Sequence, residues 1–304
     1  KYATDEVSYL SETSDDKANL DTKVKWIGYK QQFFTSIICS ENNFLNSSIS
    51  VKHSKENNKY IKDMHSDISI PFPLNISGNY SYSMFFYFGP THFNTLKKYG
   101  LEFEKQIPLG WGIFGWINRY AVIPVFNFLG SFNLNYGIII LILTIIIKIV
   151  LLPIAYKTYL SSAKMKLLKP EIDEINQKYS KEDPLKKQQA MMTLYKKAGV
   201  NPMSGCLPML LQFPILIAMF RFFPASIELR QQKFLWADDL SSYDSIYDFG
   251  FNIPFYGDHI SLFTLLMTIS TIIYTKLNSD TMGSSSNQMP GMKFMMYAMP
   301  VMFL

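Results

Sequence analysis

Residues 136–156 read YGIIILILTIIIKIVLLPIAY, twenty-one residues with one charge, Lys148, set in an otherwise apolar run. At about 1.5 Å of rise per residue such a helix is about 30 Å long, the thickness of the hydrocarbon core of a bilayer. It is the strongest membrane-spanning signal in the chain, and three further apolar blocks follow it. Residues 206–223 (CLPMLLQFPILIAMFRFF) hold Gln212 and two prolines, which a helix in lipid tolerates better than one in water. Residues 260–277 (ISLFTLLMTISTIIYTKL) give a third span. Residues 292–304 are too short to cross and read as the beginning of a fourth span, with a core fragment as the alternative.

The composition of the whole chain agrees with that pattern. Of 304 residues, 48% are hydrophobic and 17% charged, where soluble domains carry about a quarter charged. A cytosolic nucleic-acid binder, a collagen and a disordered chain are set aside on these figures. The formal charge of +5 says little, being a sum over segments expected on opposite sides of a membrane. Local charges say more. Residues 157–205 carry ten lysines against five acids, whereas residues 224–259 carry Arg230 and Lys233 against six acids. The positive-inside rule places the first loop in the cytoplasm and the second outside, so residues 1–133 lie outside as well. Residues 278–291 (NSDTMGSSSNQMPG) then form a short, flexible inner connection.

Upstream of the spans, residues 1–106 are polar sequence with β-rich stretches at 23–27, 31–38, 47–51 and 80–88, separated by Asn, Ser, Asp and Lys clusters suited to turns. They predict the C-terminal part of a β-sandwich domain. The four histidines are scattered, the cysteines Cys39 and Cys206 suggest no disulfide framework, and no catalytic triad or metal-ligand spacing is visible. Ser204-Gly205-Cys206 has the form of a lipoprotein cleavage site but sits too deep in the chain to act as one. Residues 107–133 begin IPLGWGIFGWINRYAVIPVFNFLG, rich in Trp, Ile and Phe with one charge, Arg119. They read as a helix lying in the headgroup layer, anchored by Trp111, Trp116 and Tyr120, with an ordinary buried helix as the alternative.

The cytoplasmic loop is patterned. Met165, Leu168, Ile172 and Ile175 keep helical spacing, and Asp183-Pro184 supplies an N-cap followed by proline at the first helical position. The spacing predicts a helical hairpin over 158–200 with its turn at 180–183. Its outer faces carry Lys164, Lys166, Lys178, Lys186, Lys187, Lys196 and Lys197. A solvated face, anionic lipid and ribosomal RNA would each suit them.

Lys148 asks for a function. It lies twelve residues into its span, at about 18 Å depth. A charge there costs at least about 2.5–3.5 kcal/mol, so the default is a position that faces the bundle and lines water or meets a partner. Snorkelling is the alternative, although a helical side chain leans toward its own N-terminus, here the outer side. The other spans offer no acid. Thr144, one turn earlier, and Gln212 would only solvate the ammonium, leaving a wet, positively charged groove that wants something negative to arrive.

Three stretches carry a resemblance: IIIKIVLLPIAYKTYLSSAKMKLLKPEI at 145–172, LYKKAGVNPMSGCLPMLLQFPILIAMF at 194–220 and IELRQQKFLWADDLSSYD at 227–244. They resemble the YidC/Oxa-type membrane protein insertases, and WIGYKQQFF, YFGP and LGWGIFGW in the outer sequence are similar to the end of the periplasmic domain and the interfacial helix of bacterial members. The block NP-x-x-GC-x-P-x-L-x-Q-x-P-I at 201–215 is the most specific part. The resemblance implies an α-helical polytopic membrane bundle with a YidC/Oxa-like five-helix core, here partly truncated, behind a periplasmic β-sandwich. By the same comparison a first span precedes Lys1, and the rest of the fifth span and all of the sixth lie beyond Leu304.

Residue by residue, Lys148 stands where the family has its groove charge, most often Arg in bacterial members. Residues 170–197 match the hairpin that receives substrates and contacts ribosome or targeting factors. The spans at 206–223 and 292–304 match the greasy slide for an incoming helix, while Pro202, Pro208 and Pro214 are structural. The implied protein is no enzyme and uses no cofactor, metal or small-molecule substrate. Its partners are nascent membrane proteins, the ribosome, the Sec translocon and the lipid bilayer, and its place is the bacterial inner membrane. The competing classes are a transporter or channel subunit holding an anion at Lys148, for which inverted repeats are missing, and a sensor with an outer ligand-binding domain.

Overall fold

The computed structural model describes residues 7–54, 61–71, 79–179, 184–200, 207–253, 257–286 and 298. The chain divides into two units, Lys1–Leu109 with Arg221–Glu228, and Gly110–Phe220 with Leu229–Leu304.

The first unit is organised by one long strand. Strands β1 (Asp16–Leu20), β2 (Val24–Lys30), β3 (Phe34–His53), β4 (Lys62–Ser69) and β5 (Met84–Pro90) form an antiparallel set in which every other strand pairs with β3. The first half of β3 pairs with β2, from Lys30↔Thr35 to Val24↔Phe44, and with β5, from Phe34↔Pro90 to Ser40↔Met84. The second half pairs with β1 and β4, as in Leu20↔Ser47 and His53↔Lys62. Two strands expected at 31–38 and 47–51 are therefore one. The asparagine-rich link between them is a bend, with Asn43 at φ 60° and Asn46 at φ 42°, and Asn tolerates this left-handed region better than most residues. Ladder registers shift on both sides of it. Strands β1 and β4 are polar, and β1 is only five residues long, so neither stands out in the sequence.

The bend lets both halves feed one core. Leu20, Val24, Ile27 and Phe44 are buried, with Ala18, Tyr29, Ile38, Ile49, Ile68 and Tyr82 packed against them. A second centre forms where the chain leaves the sheet through α1 (Phe93–Lys97) and a 3₁₀ turn at Phe103–Gln106. Buried Trp26 meets Phe103 edge-on at 5.3 Å, and its indole Nε1–H donates to the Leu101 carbonyl at 2.9 Å. The buried ring thereby keeps its polar handle satisfied.

The second unit is helical. A bent helix runs through α2 (Gly112–Ile117), a π-turn at Asn118–Val122 and α3 (Ile123–Gly130). It buries Gly115, Asn118, Val122, Ile123, Phe126 and Leu129 along one side. Gly115 is required there, because a Cβ would sit 2.4 Å from the Gly110 carbonyl oxygen. Next comes α4 (Tyr136–Leu167), 32 residues long with Pro153 inside it. It does not stop at residue 156, because YKTYLSSAKMKL contains no helix breaker and the first interruption is at Leu168, before Pro170. The hairpin therefore starts later than the expected residue 158: α5 covers Lys169–Lys178 and α6 Pro184–Lys197, in contact with each other and with Ile172 and Tyr195 buried. The expected turn at 180–183 lies outside the described residues.

Three elements complete the unit: α7 (Leu207–Phe222), the antiparallel pair β6 (Ser245–Ile253) and β7 (Gly257–Ser261), and α8 (Leu262–Ser286). Helix α8 carries on through residues 278–286, which the sequence suggests are flexible. Tyr136–Met165 is the one stretch among the described residues long and apolar enough to cross a membrane, with Leu210–Ala225 and Leu262–Leu277 as shorter apolar helices. The expected span at 292–304 and the 201–206 half of the specific block lie outside the described residues, apart from Ala298.

Candidate functional site

Helix α4 begins on a tight fastening. The Asn135 carbonyl accepts from the Ile139 amide at 3.0 Å, its side-chain oxygen accepts from the Gly137 N–H at 2.9 Å, and its carboxamide donates to the Lys233 carbonyl at 2.8 Å. One residue thus caps the helix and ties it to the segment after α7. Gly137 leaves room for the Phe234 ring, which a Cβ would meet at 2.1 Å. A second fastening comes from α2–α3, where buried Asn118 donates from Nδ2 to the Ala218 carbonyl at 2.7 Å. Pro214 has no N–H for a carbonyl one turn before it, so α7 has a weakened backbone just ahead of this contact.

Along α4 from its N-terminal cap, Lys148 is brought to α7. Its Nζ donates to Gln212 Oε1 at 3.1 Å, with both residues exposed. Thr144 sits one turn away on the same face, but its hydroxyl proton goes to the Ile140 carbonyl at 2.8 Å, leaving only acceptor capacity toward the ammonium. A neutral amide solvates the charge without cancelling it. The surrounding surface is apolar and uncovered: Leu141, Ile145, Ile149 and Leu152 on α4 and Leu216 on α7 are all exposed. The site is an accessible positive charge on a greasy wall.

The lysines expected on the hairpin are spread over three helices rather than gathered. Lys164 stands on the extension of α4, Lys178 at the end of α5, Lys186 and Lys187 early in α6, and Lys196 and Lys197 in its last turn. Lys187 is half-buried and the others are exposed; the Lys166 side chain lies outside the described set. Lys178 rests 5.9 Å from the centre of the Tyr179 ring. The aromatic residues of α2–α3 are turned outward: Trp111, Trp116 and Tyr120 are exposed, and the rings of Trp116 and Tyr120 lie 5.8 Å apart.

Sequence reading missed the residues that hold this frame. Asp244 accepts from Trp236 Nε1 at 2.8 Å, from the Phe263 amide at 2.9 Å and from the Ser261 hydroxyl, and so ties the segment after α7 to the first turn of α8. Burial pushes its carboxyl up, but the three donors outweigh that and hold it below the usual carboxylate range. Nothing in the spacing of Asp244 distinguishes it from its five acidic neighbours in the loop. Asn118 had a weak signal, a polar residue between apolar ones in a helical run. Among the described residues no group of three or more His, Cys, Asp or Glu could hold a metal.

A β-domain followed by helices, one of them of spanning length and carrying an exposed mid-helix lysine, defines a membrane protein with a folded domain ahead of its apolar part. The model of the family described as 60Kd inner membrane protein matches residues 128–304, and that of the YidC periplasmic domain matches residues 1–123. The chain belongs to the 60Kd inner membrane protein family. It is 50% identical over 317 residues to the membrane protein insertase YidC of Parabacteroides distasonis, covering 100% of this chain and 50% of that protein. It is 48% identical over 312 residues to that of Bacteroides fragilis, with coverage of 100% and 50%, and 43% identical over 320 residues to that of Porphyromonas gingivalis, with coverage of 100% and 51%. The chain spans about half the length of these curated relatives.

Proposed function

We propose that this chain is the working part of a membrane protein insertase in the bacterial inner membrane, with its β-domain on the periplasmic side. The observation that carries the reading is Lys148: a charge in the middle of the spanning helix, accessible, and solvated by the neutral amide of Gln212. The relatives, named as membrane protein insertases, point the same way. Within a five-helix core, α4, α7 and α8 are three of the helices.

The mechanism breaks no bond. A nascent membrane protein reaches the cytoplasmic face at α5 and α6, where the lysines meet the ribosome or a targeting factor through phosphate contacts. Its short acidic tail enters the groove and is drawn to Lys148, with Thr144 and Gln212 supplying polar solvation along the way. The apolar segment then moves along the exposed side of α7 into lipid. Each Leu, Ile or Phe contributes about −0.3 to −0.6 kcal/mol at the helix centre, so a segment of ordinary length outweighs a brief polar crossing. The protein lowers the barrier and leaves the equilibrium to the substrate, alone or beside the Sec translocon. Trp111, Trp116 and Tyr120 seat α2–α3 in the headgroup layer.

The test is insertion of a small membrane protein with an acidic translocated tail, in cells depleted of the native protein and supplied with the full-length wild type, Lys148→Arg, Lys148→Ala or Lys148→Glu. Loss with Ala and Glu and retention with Arg is expected, since Arg keeps its charge under any plausible burial. Equal insertion by all four would overturn the electrostatic role and leave the apolar wall as the whole mechanism.

A further inference from the structure

The hairpin of β6 and β7 has no use in that mechanism, and its chemistry is unusual for an outer loop. Tyr247, Phe249 and Phe251 follow one another along β6, across an irregular stretch of the ladder in which Gly250 takes φ 73°, and it is their ring contacts that bring them to one side. Their rings form a ladder, with centroids 5.6 Å apart from Tyr247 to Phe249 and 5.9 Å from Phe249 to Phe251. Ile260 of β7 faces Tyr247 across the strands and extends the patch. Tyr247 is 61% and Phe251 64% exposed. The opposite face carries Asp248 and Asn252, and His259, partner of Asp248, stacks on Tyr243 at 4.1 Å. The result is a two-stranded ribbon with a run of touching, exposed rings, and such a ribbon is marginal in water without something against its apolar surface.

We propose that the aromatic face of this hairpin lies in the headgroup layer of the outer leaflet, as a second interfacial anchor beside α2–α3. Three observations select lipid as the occupant. First, β7 ends at Ser261 and α8 starts at Leu262, so no linker separates the ribbon from an apolar helix whose Leu266, Met267, Ile269 and Ile273 are themselves uncovered. Second, the junction is stiffened: Asp244 holds Ser261 and the Phe263 amide, and the Trp236 ring packs on Phe263 at 4.5 Å. The ribbon is therefore held close to wherever α8 enters lipid. Third, the two strands carry Asp248 and Asp258 and neither Lys nor Arg, which disfavours nucleic acid and anionic lipid and leaves the aromatic residues as the source of affinity. Tyr and Phe suit that layer because ring and hydroxyl divide between acyl chain and water. A protein partner is less well served. Three rings supply about 450–750 Å² even when fully covered, short of the roughly 800 Å² per side of a stable interface.

The inference rests on the outside placement of residues 224–259 and not on insertion activity, so the two fail separately. Its test uses the full-length protein reconstituted in phosphatidylcholine vesicles, with every cysteine, Cys39 and Cys206 among them, replaced by Ala as background and a polarity-sensitive fluorophore on Phe251→Cys or, as control, Asn252→Cys. Neighbouring strand positions face opposite ways, so the two labels differ only in side. The label at 251 is expected to be blue-shifted and quenched several-fold more by lipids spin-labelled near the headgroup than by external iodide, and the label at 252 the reverse. Adding anionic lipid should change neither. Equal iodide quenching at both positions would overturn the proposal. Protection at 251 without lipid quenching would overturn it too, in favour of a protein surface, and dilution of protein in lipid would then show a second copy.

Discussion

The β-domain and the helical unit are built from similar apolar residues and treat them in opposite ways. In the first unit Phe44, Phe103, Leu96 and Ile37 are at most 1% exposed, and the polar atom of Trp26 has a partner inside the domain. On α4 most of the apolar stretch is uncovered, and Ile145, Ile149, Val150 and Leu152 stand open. One unit supplies its own apolar solvent. The other leaves much of its apolar surface to be covered, and among the described residues polar contacts mark its helix junctions: Asn135 at the cap, Asn118 on α7, Asp244 on α8 and Lys148 on Gln212.

The largest expected effect comes from attacking that difference directly. Phe103→Ala removes a fully buried ring that Trp26 leans on, and should destabilise the β-domain by about 3–5 kcal/mol in denaturant titration. Ile149→Ala on α4 deletes a side chain that is 61% exposed in the folded protein, so little packing is lost with it. It should change the unfolding of the reconstituted helical unit by well under about 1 kcal/mol. Equal losses would break the comparison. Next, Gly137→Ala puts a methyl where the Phe234 ring sits, and overpacking of this kind costs about 1–3 kcal/mol. Because Lys233 and Phe234 hold the outer end of α4, protease sensitivity of the loop after α7 should rise as well. A similar loss, about 1–3 kcal/mol, is expected for Asn118→Ala, which leaves the Ala218 carbonyl without its donor. Asn118→Asp should be no better, since a carboxylate cannot donate.

What the sequence made legible follows the same division. The span at 136–156 and the charge inside it could be read directly, because hydrophobic length and an isolated lysine are one-dimensional signals. So could the proline that opens α6. The bounds could not: α4 runs to Leu167 because helix continuation depends on the absence of breakers rather than on hydropathy. In the β-domain, β3 was read as two strands, since Asn-rich sequence suits a turn and a strand bend equally; only the pairing of both halves decides between them. Tyr247, Phe249 and Phe251 alternate plainly in the sequence, yet they sit in a loop defined by its charge, where a strand signal is easy to pass over. At the candidate site, Lys148 and Gln212 were singled out as solvating neighbours and the geometry joins them at 3.1 Å. Asp244 was not, because its importance lies in three donors contributed by residues eight to nineteen positions away.

The smallest effect expected is also the one that isolates a single polar fastening. The folded carboxyl of Asp244 titrates below its unfolded value of 3.8. A depressed folded pKa means that the unfolded state binds the proton first as pH falls, so stability from this group is complete above about pH 4 and is lost as pH drops through the folded value. Protonation removes acceptor capacity toward Trp236, Ser261 or the Phe263 amide, and the indole of Trp236 reports it. Acid titration of the reconstituted wild type should therefore shift the Trp236 emission in a step that is absent in Asp244→Asn, whose carboxamide has one accepting oxygen for three donors at every pH. The β-domain offers the control. Glu12 is also held low, by the hydrogen bond and charge of Lys30 at 2.9 Å, and its step should persist in the Asp244 variant. If the Trp236 step persists there too, the outer end of α8 is held by the Trp236–Phe263 packing and not by the carboxylate, and the helical unit owes less to its polar contacts than the contrast with the β-domain implies.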